Sequence, residues 1–390
     1  MGCCSSKPSS LVSNELNIKV EGLLSPIIIK DYKLPNRIVH AAMTRGRCDP
    51  SNSIPNDLLV EYYTKVARNG CKFIITECSG ISPENCFKGN GFCHNNQQME
   101  GWKKVVDSVH REGAKIFLQL FHGGRANHPK NSGGITPVAP SAIAIRGKDH
   151  TIEGLLDHVE PREITKEEMK IICNNFKEAA KNAINYGFDG IQLHCANGYL
   201  IDQFIRSYTN WRKDEYGNSI ENRLRFPLEI IDECIDAIGA DKVGIKVSPL
   251  GRYNDMYDET PFKTFNLFMM EVNKRNIAFV EMMGPDSTQT KFFPKPEEQI
   301  GDVWKAFRST YKGLYIANSK FDFNSGNEII SNGDADMVSF GTKFISNPDL
   351  VRRFENGLEL NNKVDWGNVF FGGRKGYLDY PEYNEFITRK

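Results

Sequence analysis

From residue 36 onward, short runs of β-type apolar residues alternate with longer stretches whose apolar positions recur at i, i+3 and i+7. The β-type runs are Asn36 to Met43, Lys72 to Glu77, Lys115 to Phe121, Gly190 to His194, Lys242 to Ser248, Ile277 to Met283, Leu314 to Asn318 and Met337 to Gly341, eight in all. Helical periodicity is clearest in Leu59/Tyr62/Val66, Trp102/Val105/Val109 and Met169/Ile172/Phe176/Ala183, and Thr165 with Glu168 makes a capping box ahead of the last. Several helical stretches stop at a glycine shortly before the next strand, at Gly70, Gly113, Gly187, Gly239, Gly313 and Gly333.

Eight strands alternating with helices predict one α/β domain, a closed (β/α)8 TIM barrel of parallel strands. A doubly wound open sheet shares the local pattern, but no Gly-x-Gly-x-x-Gly follows the first strand to support it. One connection is out of scale. After Phe121 the chain runs His122-Gly-Gly-Arg125 and then about forty polar, Gly- and Pro-containing residues to Thr165, where a βα loop usually takes about two to six. This insertion after strand three is expected to be a lid or a wall at the barrel's C-terminal face, with a plain surface excursion as the alternative.

Composition narrows the partners. Lysine plus arginine and aspartate plus glutamate are equal at 49 each, which argues against nucleic acid, and 40% hydrophobic residues supply a sizeable core. The ten cysteines show no Cys-x-x-Cys pairing and read as reduced thiols with no metal-binding spacing. No apolar run approaches the roughly 18 residues of a spanning helix. The opening Met1-Gly2-Cys3-Cys4-Ser5-Ser6-Lys7 fits N-myristoylation at Gly2 with palmitoylation at Cys3 and Cys4. Residues 1–22 are therefore expected to form a flexible tether and 23–390 the barrel. Two acyl chains would hold the protein at the cytoplasmic side of a membrane, and without them it would be cytoplasmic.

A barrel gathers the C-terminal ends of its strands at one mouth. The candidates there are Met43 and Thr44, Glu77 and Cys78, Gln119, His194 with Asn197 and Tyr199, Lys246, Asn318, and Gly341-Thr342-Lys343. His194 ends a strand, so its imidazole, the Asn197 amide and the Tyr199 phenol can address one carbonyl and deliver a proton; a structural histidine would also fit this pattern. Gln119 and Lys246 interrupt apolar strands and need partners, either a ligand or a barrel-core polar bond or ion pair. Asn318-Ser319 and Gly341-Thr342-Lys343 follow strands seven and eight, where barrels commonly hold phosphate, and FMN carries such a phosphate.

The run His194-Cys-Ala-Asn-Gly-Tyr-Leu-Ile-Asp-Gln-Phe204 with Asp214-Glu-Tyr-Gly-Asn-Ser-Ile-Glu-Asn-Arg223 resembles the signature of the Old Yellow Enzyme family of FMN-dependent ene-reductases, and the likeness extends from about Leu24 to Tyr383. The resemblance implies that NADPH or NADH reduces FMN, which passes hydride to the β-carbon of an α,β-unsaturated carbonyl or to a quinone, both reactants using one mouth in turn. Thr44 and Gln119 would bond the flavin, together with Met43, Lys246, Asn318, Gly341 and Thr342. His194 and Asn197 would grip the substrate carbonyl, Tyr199 would give the proton, Tyr377 would close over the substrate and Phe121 would shape the pocket.

Departures from the family pattern fall on the flavin side. Lys246 stands where arginine is usual and loses its fork; Thr342 stands where arginine is usual beside Gly341; Ala317 and Cys78 replace common glycines; and Ala41-Ala42 replaces a frequent proline. They predict weaker retention of FMN. They also motivate a second reading, a membrane-tethered scaffold or binding protein on a flavin barrel with a degenerate cofactor site. A dehydrogenase relative with an iron-sulfur cluster is disfavoured because the cysteines do not cluster. The loops near Phe292 and Phe293 are expected to help shape the substrate pocket.

Overall fold

The structure is a computed structural model that describes residues 22–83, 89–285 and 300–388. At its centre eight parallel strands close into a barrel. They are β1 (Ile38–His40), β2 (Phe73–Gly80), β3 (Lys115–Phe121), β4 (Gly190–Cys195), β5 (Val243–Val247), β6 (Phe279–Met283), β7 (Tyr315–Asn318) and β8 (Met337–Phe340). Each lies beside its neighbour in the chain, and β8 pairs with β1 to complete the circle. All eight predicted runs are strands, with altered ends. The first is shorter than predicted, because Asn36 folds its side-chain oxygen back to accept from the Ile38 amide at 3.2 Å. The second runs on past Glu77 to Gly80 across a register shift between Ile75 and Cys78, a bulge that bends the strand at the mouth.

Side chains fill the barrel in layers. Phe73, Phe117 and Phe279 meet at 5.1, 5.6 and 5.5 Å between ring centroids. Two of these rings need glycine on the neighbouring strand. A Cβ on Gly190 would stand 2.2 Å from Phe117, and one on Gly244 2.3 Å from Phe279. Below this aromatic layer, the hairpin Ile27–Ile29/Tyr32–Leu34 packs Ile29 and Leu34 into the same cluster, covering the end where the strands begin.

Helices wrap the outside with their apolar faces inward, such as Asp57–Arg68, Asn96–Arg111 and Lys166–Asn185. The capping box at Thr165 and Glu168 is formed. Gly70, Gly113, Gly187, Gly239 and Gly333 adopt φ of 98, 70, 96, 89 and 75°, the left-handed geometry that ends a helix, whereas Gly313 does not.

The excursion after β3 contains a short turn at Gly124–Ala126, a hairpin of Lys148–Thr151 with Gly154–Asp157, and a small parallel pair of Val138–Ala139 with Arg162–Glu163. It is tied to the loop after β5. Buried Arg125 donates to the carbonyls of Asn254 and Asp255, each at 2.9 Å, and Arg146 pairs with the Asp255 carboxylate. The expected acyl sites Gly2, Cys3 and Cys4, and Phe292 and Phe293, lie outside the described residues. No described helix is long and apolar enough to cross a membrane. Among the described residues seven cysteines are free thiols, all buried.

Candidate active site

Past Cys195, the end of β4, the chain turns through Ala196, Asn197 and Gly198 into the helix Leu200–Ile205. Asn197 and Gly198 are both left-handed, with φ of 59 and 73°. Asparagine tolerates that geometry better than most residues. Gly198 must be glycine, because a Cβ there would lie 2.7 Å from both Asn254 and Met256. Four hydrogen bonds pin the turn. The Asn197 amide donates to Ser248 Oγ at 2.9 Å and its carbonyl accepts from Asn254 Nδ2 at 2.9 Å. The Gly198 amide donates to Asp202 Oδ2 at 2.9 Å and its carbonyl accepts from Gln203 Nε2 at 2.7 Å. Asp202 is in turn held by Arg206 at 2.8 Å in a pair that water does not reach. The backbone of the turn is thus set, while the half-buried Asn197 side chain bonds to none of the described residues.

This turn brings His194 and Tyr199 together, their rings edge to face at 4.8 Å, with Phe121 against Tyr199 at 5.4 Å. Burial, helped by the nearby Lys246 ammonium, pushes the His194 imidazole down to about 3, so it is neutral near pH 7. Its Nδ1 is buried with no partner among the described residues. Burial also pushes the Tyr199 phenol well up, so it keeps its proton. Two neutral side chains therefore share one corner of the mouth, and the His194 Nδ1 is left with polar capacity unspent.

The layer between this corner and the aromatic floor is polar along one arc. Gln119 Nε2 donates to Gln192 Oε1 at 2.7 Å, and Gln192 Nε2 donates to Glu281 Oε2 at 2.7 Å. Glu281 Oε1 accepts from Lys246 Nζ at 3.1 Å and from Ser339 Oγ at 2.7 Å, and Asn318 Nδ2 donates to that Ser339 hydroxyl at 2.7 Å. For Gln119 and Lys246 the core polar bond and ion pair are therefore the contacts observed. Strand register explains the meeting: His194 lies beside Lys246, and Lys246 beside Glu281. Thr44 Oγ1 shares a hydrogen bond of 3.3 Å with Cys78 Sγ, which also accepts from Asn90 Nδ2 at 3.4 Å. The thiol that replaces a glycine thus sits against Thr44.

Beyond β7 and β8 a cavity of about 460 Å³ opens. Asn318, Ser319, Lys320, Gly341, Thr342 and Lys343 line it, with Lys343 half-buried and Lys320 exposed at its edge. Met43 adjoins the same place, since a Cβ on Gly341 would meet its sulfur at 3.2 Å. Two ammonium groups, a hydroxyl and amides suit a phosphate monoester, and the polar arc suits the hydrogen-bonding edge of a flavin.

Tyr377, expected over the substrate, is 2% exposed and stacked on Tyr62 at 4.5 Å, and its hydroxyl is buried with no partner among the described residues. Two buried arginines hold it there. Arg45 and Arg47 lie 4.9 and 4.8 Å from its ring. Both also donate to carbonyls of the same C-terminal segment, including Gly376 from Arg45 and Asn368 from Arg47.

The NADH:flavin oxidoreductase / NADH oxidase family profile matches residues 22–361. A probable flavin mononucleotide-dependent alkene reductase of Leishmania infantum is 38% identical over 371 residues, covering 93% of this chain and 98% of that one. The solved Old Yellow Enzyme homologue of Zymomonas mobilis superposes with a TM-score of 0.86 at 34% identity, covering 93 and 99% of the two chains. Morphinone reductase in complex with tetrahydroNAD gives 0.85 at 33%, covering 93 and 98%. The chain belongs to the Old Yellow Enzyme family. Like that family it is an FMN-dependent oxidoreductase that takes its electrons from a nicotinamide. In this Old Yellow Enzyme, Glu281, Gln192, Ser339 and Lys320 are the site residues that pattern reading passed over. Glu281 carried a signal, a carboxylate inside the apolar run Ile277 to Met283.

Proposed function

We propose that the protein is an ene-reductase that passes hydride from NADPH or NADH, by way of FMN, to the β-carbon of α,β-unsaturated carbonyl compounds, or to quinones. Bound FMN supplies the hydride. The chain's own residues do the rest. The neutral His194 imidazole and the uncommitted Asn197 amide donate to the carbonyl oxygen and stabilise the negative charge it gains as hydride arrives. Tyr199 delivers its phenolic proton to the α-carbon, so one hydride and one proton saturate the bond. Lys343, Lys320 and Thr342 hold the phosphate, while Met43, Thr44, Gln119, Lys246, Asn318 and Gly341 face the ring system and ribityl chain. The excursion after β3, tied down by Arg125, walls the substrate side.

What carries this reading is the neutral His194 with an unmet Nδ1, 4.8 Å ring to ring from a protonated Tyr199. The test uses FMN-loaded protein with NADPH and cyclohexenone. Tyr199→Phe should slow enone reduction by about 10²–10⁴ while leaving FMN reduction by NADPH intact. A quinone, protonated on oxygen where water can serve, should be spared. Equal enone rates for wild type and Tyr199→Phe would remove Tyr199 from the mechanism, and no FMN binding at micromolar flavin would remove the enzyme reading. The acyl anchor at Gly2, Cys3 and Cys4 rests on the sequence motif. It predicts myristate incorporation in cells that Gly2→Ala abolishes.

A further inference from the structure

Lys246 and Glu281 are charged residues shut inside a barrel, with side-chain exposures of 6 and 0%. They occupy inward positions at the same level of neighbouring strands β5 and β6. The Glu281 carboxylate accepts from three donors, the Lys246 ammonium, the Ser339 hydroxyl and the Gln192 amide. The pair therefore has no net charge, and each member is fixed by the other rather than by solvent.

Its location gives that neutrality a consequence. Lys246 stands beside His194, whose imidazole feels its charge, and the arc continues through Ser339 to Asn318 on the wall of the 460 Å³ cavity. The pair thus lies between the carbonyl-binding corner and the phosphate end, under the span that a flavin ring bridging the two must cover. Reduction by two electrons and one proton leaves negative charge on the N1–C2=O edge of the ring. A lone cation beneath that edge favours the reduced form; a cation already neutralised by a carboxylate favours it much less.

We propose that Glu281 is a positioning residue that sets the reduction potential of the bound FMN, by engaging the Lys246 ammonium so that a neutral pair faces the flavin. Glu281 touches neither reactant and acts through Lys246. This rests on the placement of FMN over Lys246 proposed above, and it adds a counter-charge to that site.

The experiment is a charge cycle read by potential, not by turnover. FMN is bound to wild type, Glu281→Gln, Lys246→Gln and the double variant. The midpoint potential is measured by equilibration with reference dyes, and the FMN dissociation constant by fluorescence titration. Glu281→Gln should favour reduced over oxidised FMN by tenfold or more, which for a two-electron couple is about 30 mV upward. Lys246→Gln should move the potential downward, and the double variant should return near wild type. Opposite signs that cancel are not what loss of packing gives. The double variant leaves no buried charge unpaired, and Gln119 and Gln192 can reverse their amides to suit it, so the cycle retains three points if Glu281→Gln fails to fold. Normal FMN binding with an unchanged or lowered potential in Glu281→Gln would overturn the proposal alone. If that variant does not fold, a Lys246→Gln potential no lower than that of the double variant overturns it. Failure of wild type to bind FMN would overturn the functional reading, and this proposal with it.

Discussion

The two halves of the mouth are built on opposite plans. On the substrate side, between β4 and β5, the protein commits its hydrogen bonds to backbone: four of them lock the Asn197–Gly198 turn, and the side chains of His194 and Asn197 are left with polar atoms to offer. On the cofactor side, side chains bond to one another. Thr44 meets Cys78, Gln119 meets Gln192, Lys246 meets Glu281 and Asn318 meets Ser339. The first plan presents fixed, unspent donors to a small ligand that comes and goes. In the second, a resident ligand shares or displaces bonds already made, and the hold on FMN is what a titration of the protein with flavin would measure.

Breaking what lies under the substrate turn should have the largest effect. Asp202→Asn leaves buried Arg206 without its carboxylate and keeps one acceptor oxygen where two donors, Arg206 Nε and the Gly198 amide, each had their own; losing one charged partner of such a pair costs about 3–5 kcal/mol. Urea denaturation should show that loss, and the cofactor-side ion pair should be unaffected by it.

Next comes the unspent donor itself. His194→Leu should lower enone reduction by about 10²–10³, the usual cost of one donor to a developing oxyanion, with NADPH-driven reduction of FMN changed much less. Stopped-flow traces of the two half-reactions separate these outcomes.

Acid should expose the same group thermodynamically. His194 and the buried His40 are held at about 3 and about 4, below the ordinary 6.5, chiefly by burial. As pH falls below 6.5 the unfolded chain takes protons that the folded chain refuses. Stability is therefore full above 6.5 and declines below it, by at most about 1.4 kcal/mol per pH unit for each histidine, until the folded values are reached. Urea midpoints from pH 7 to pH 4 measure the slope. Enone turnover should show no inflection from His194 between pH 5 and 8.

The smallest expected effect is at the phosphate end. Lys343→Ala removes one of two ammonium groups from a half-open cavity and should weaken FMN binding by about tenfold, near 1.4 kcal/mol. Fluorescence titration reads it directly, and an unchanged constant would show that Lys320 and the amides suffice.

Local rules made much of this visible in the chain. The strand periodicity, the glycine stops and the Thr165 capping box depend on near neighbours, and His194, Asn197 and Tyr199 share one turn, so reading along the sequence reached them. The packing of Tyr377 could not be read along the chain, because its partners, Arg45, Arg47 and Tyr62, are more than 300 positions away, and two buried arginines that bind carbonyls leave no periodic trace. Glu281 was passed over although a charge in an apolar strand is a legible signal. Its pairing with Lys246 instead of a ligand follows only from the register that barrel closure imposes. Lys320 sits in the turn after β7, where φ is 36°, and the pattern of apolar residues says nothing about where such a turn aims a side chain.

The hairpin of Ile27–Ile29 with Tyr32–Leu34 acts as a cork. A stoppered barrel is a cul-de-sac, so whatever reaches the flavin must leave by the door it entered. Electron donor and electron acceptor then compete for one vestibule, and each should inhibit at high concentration by occupying the place of the other.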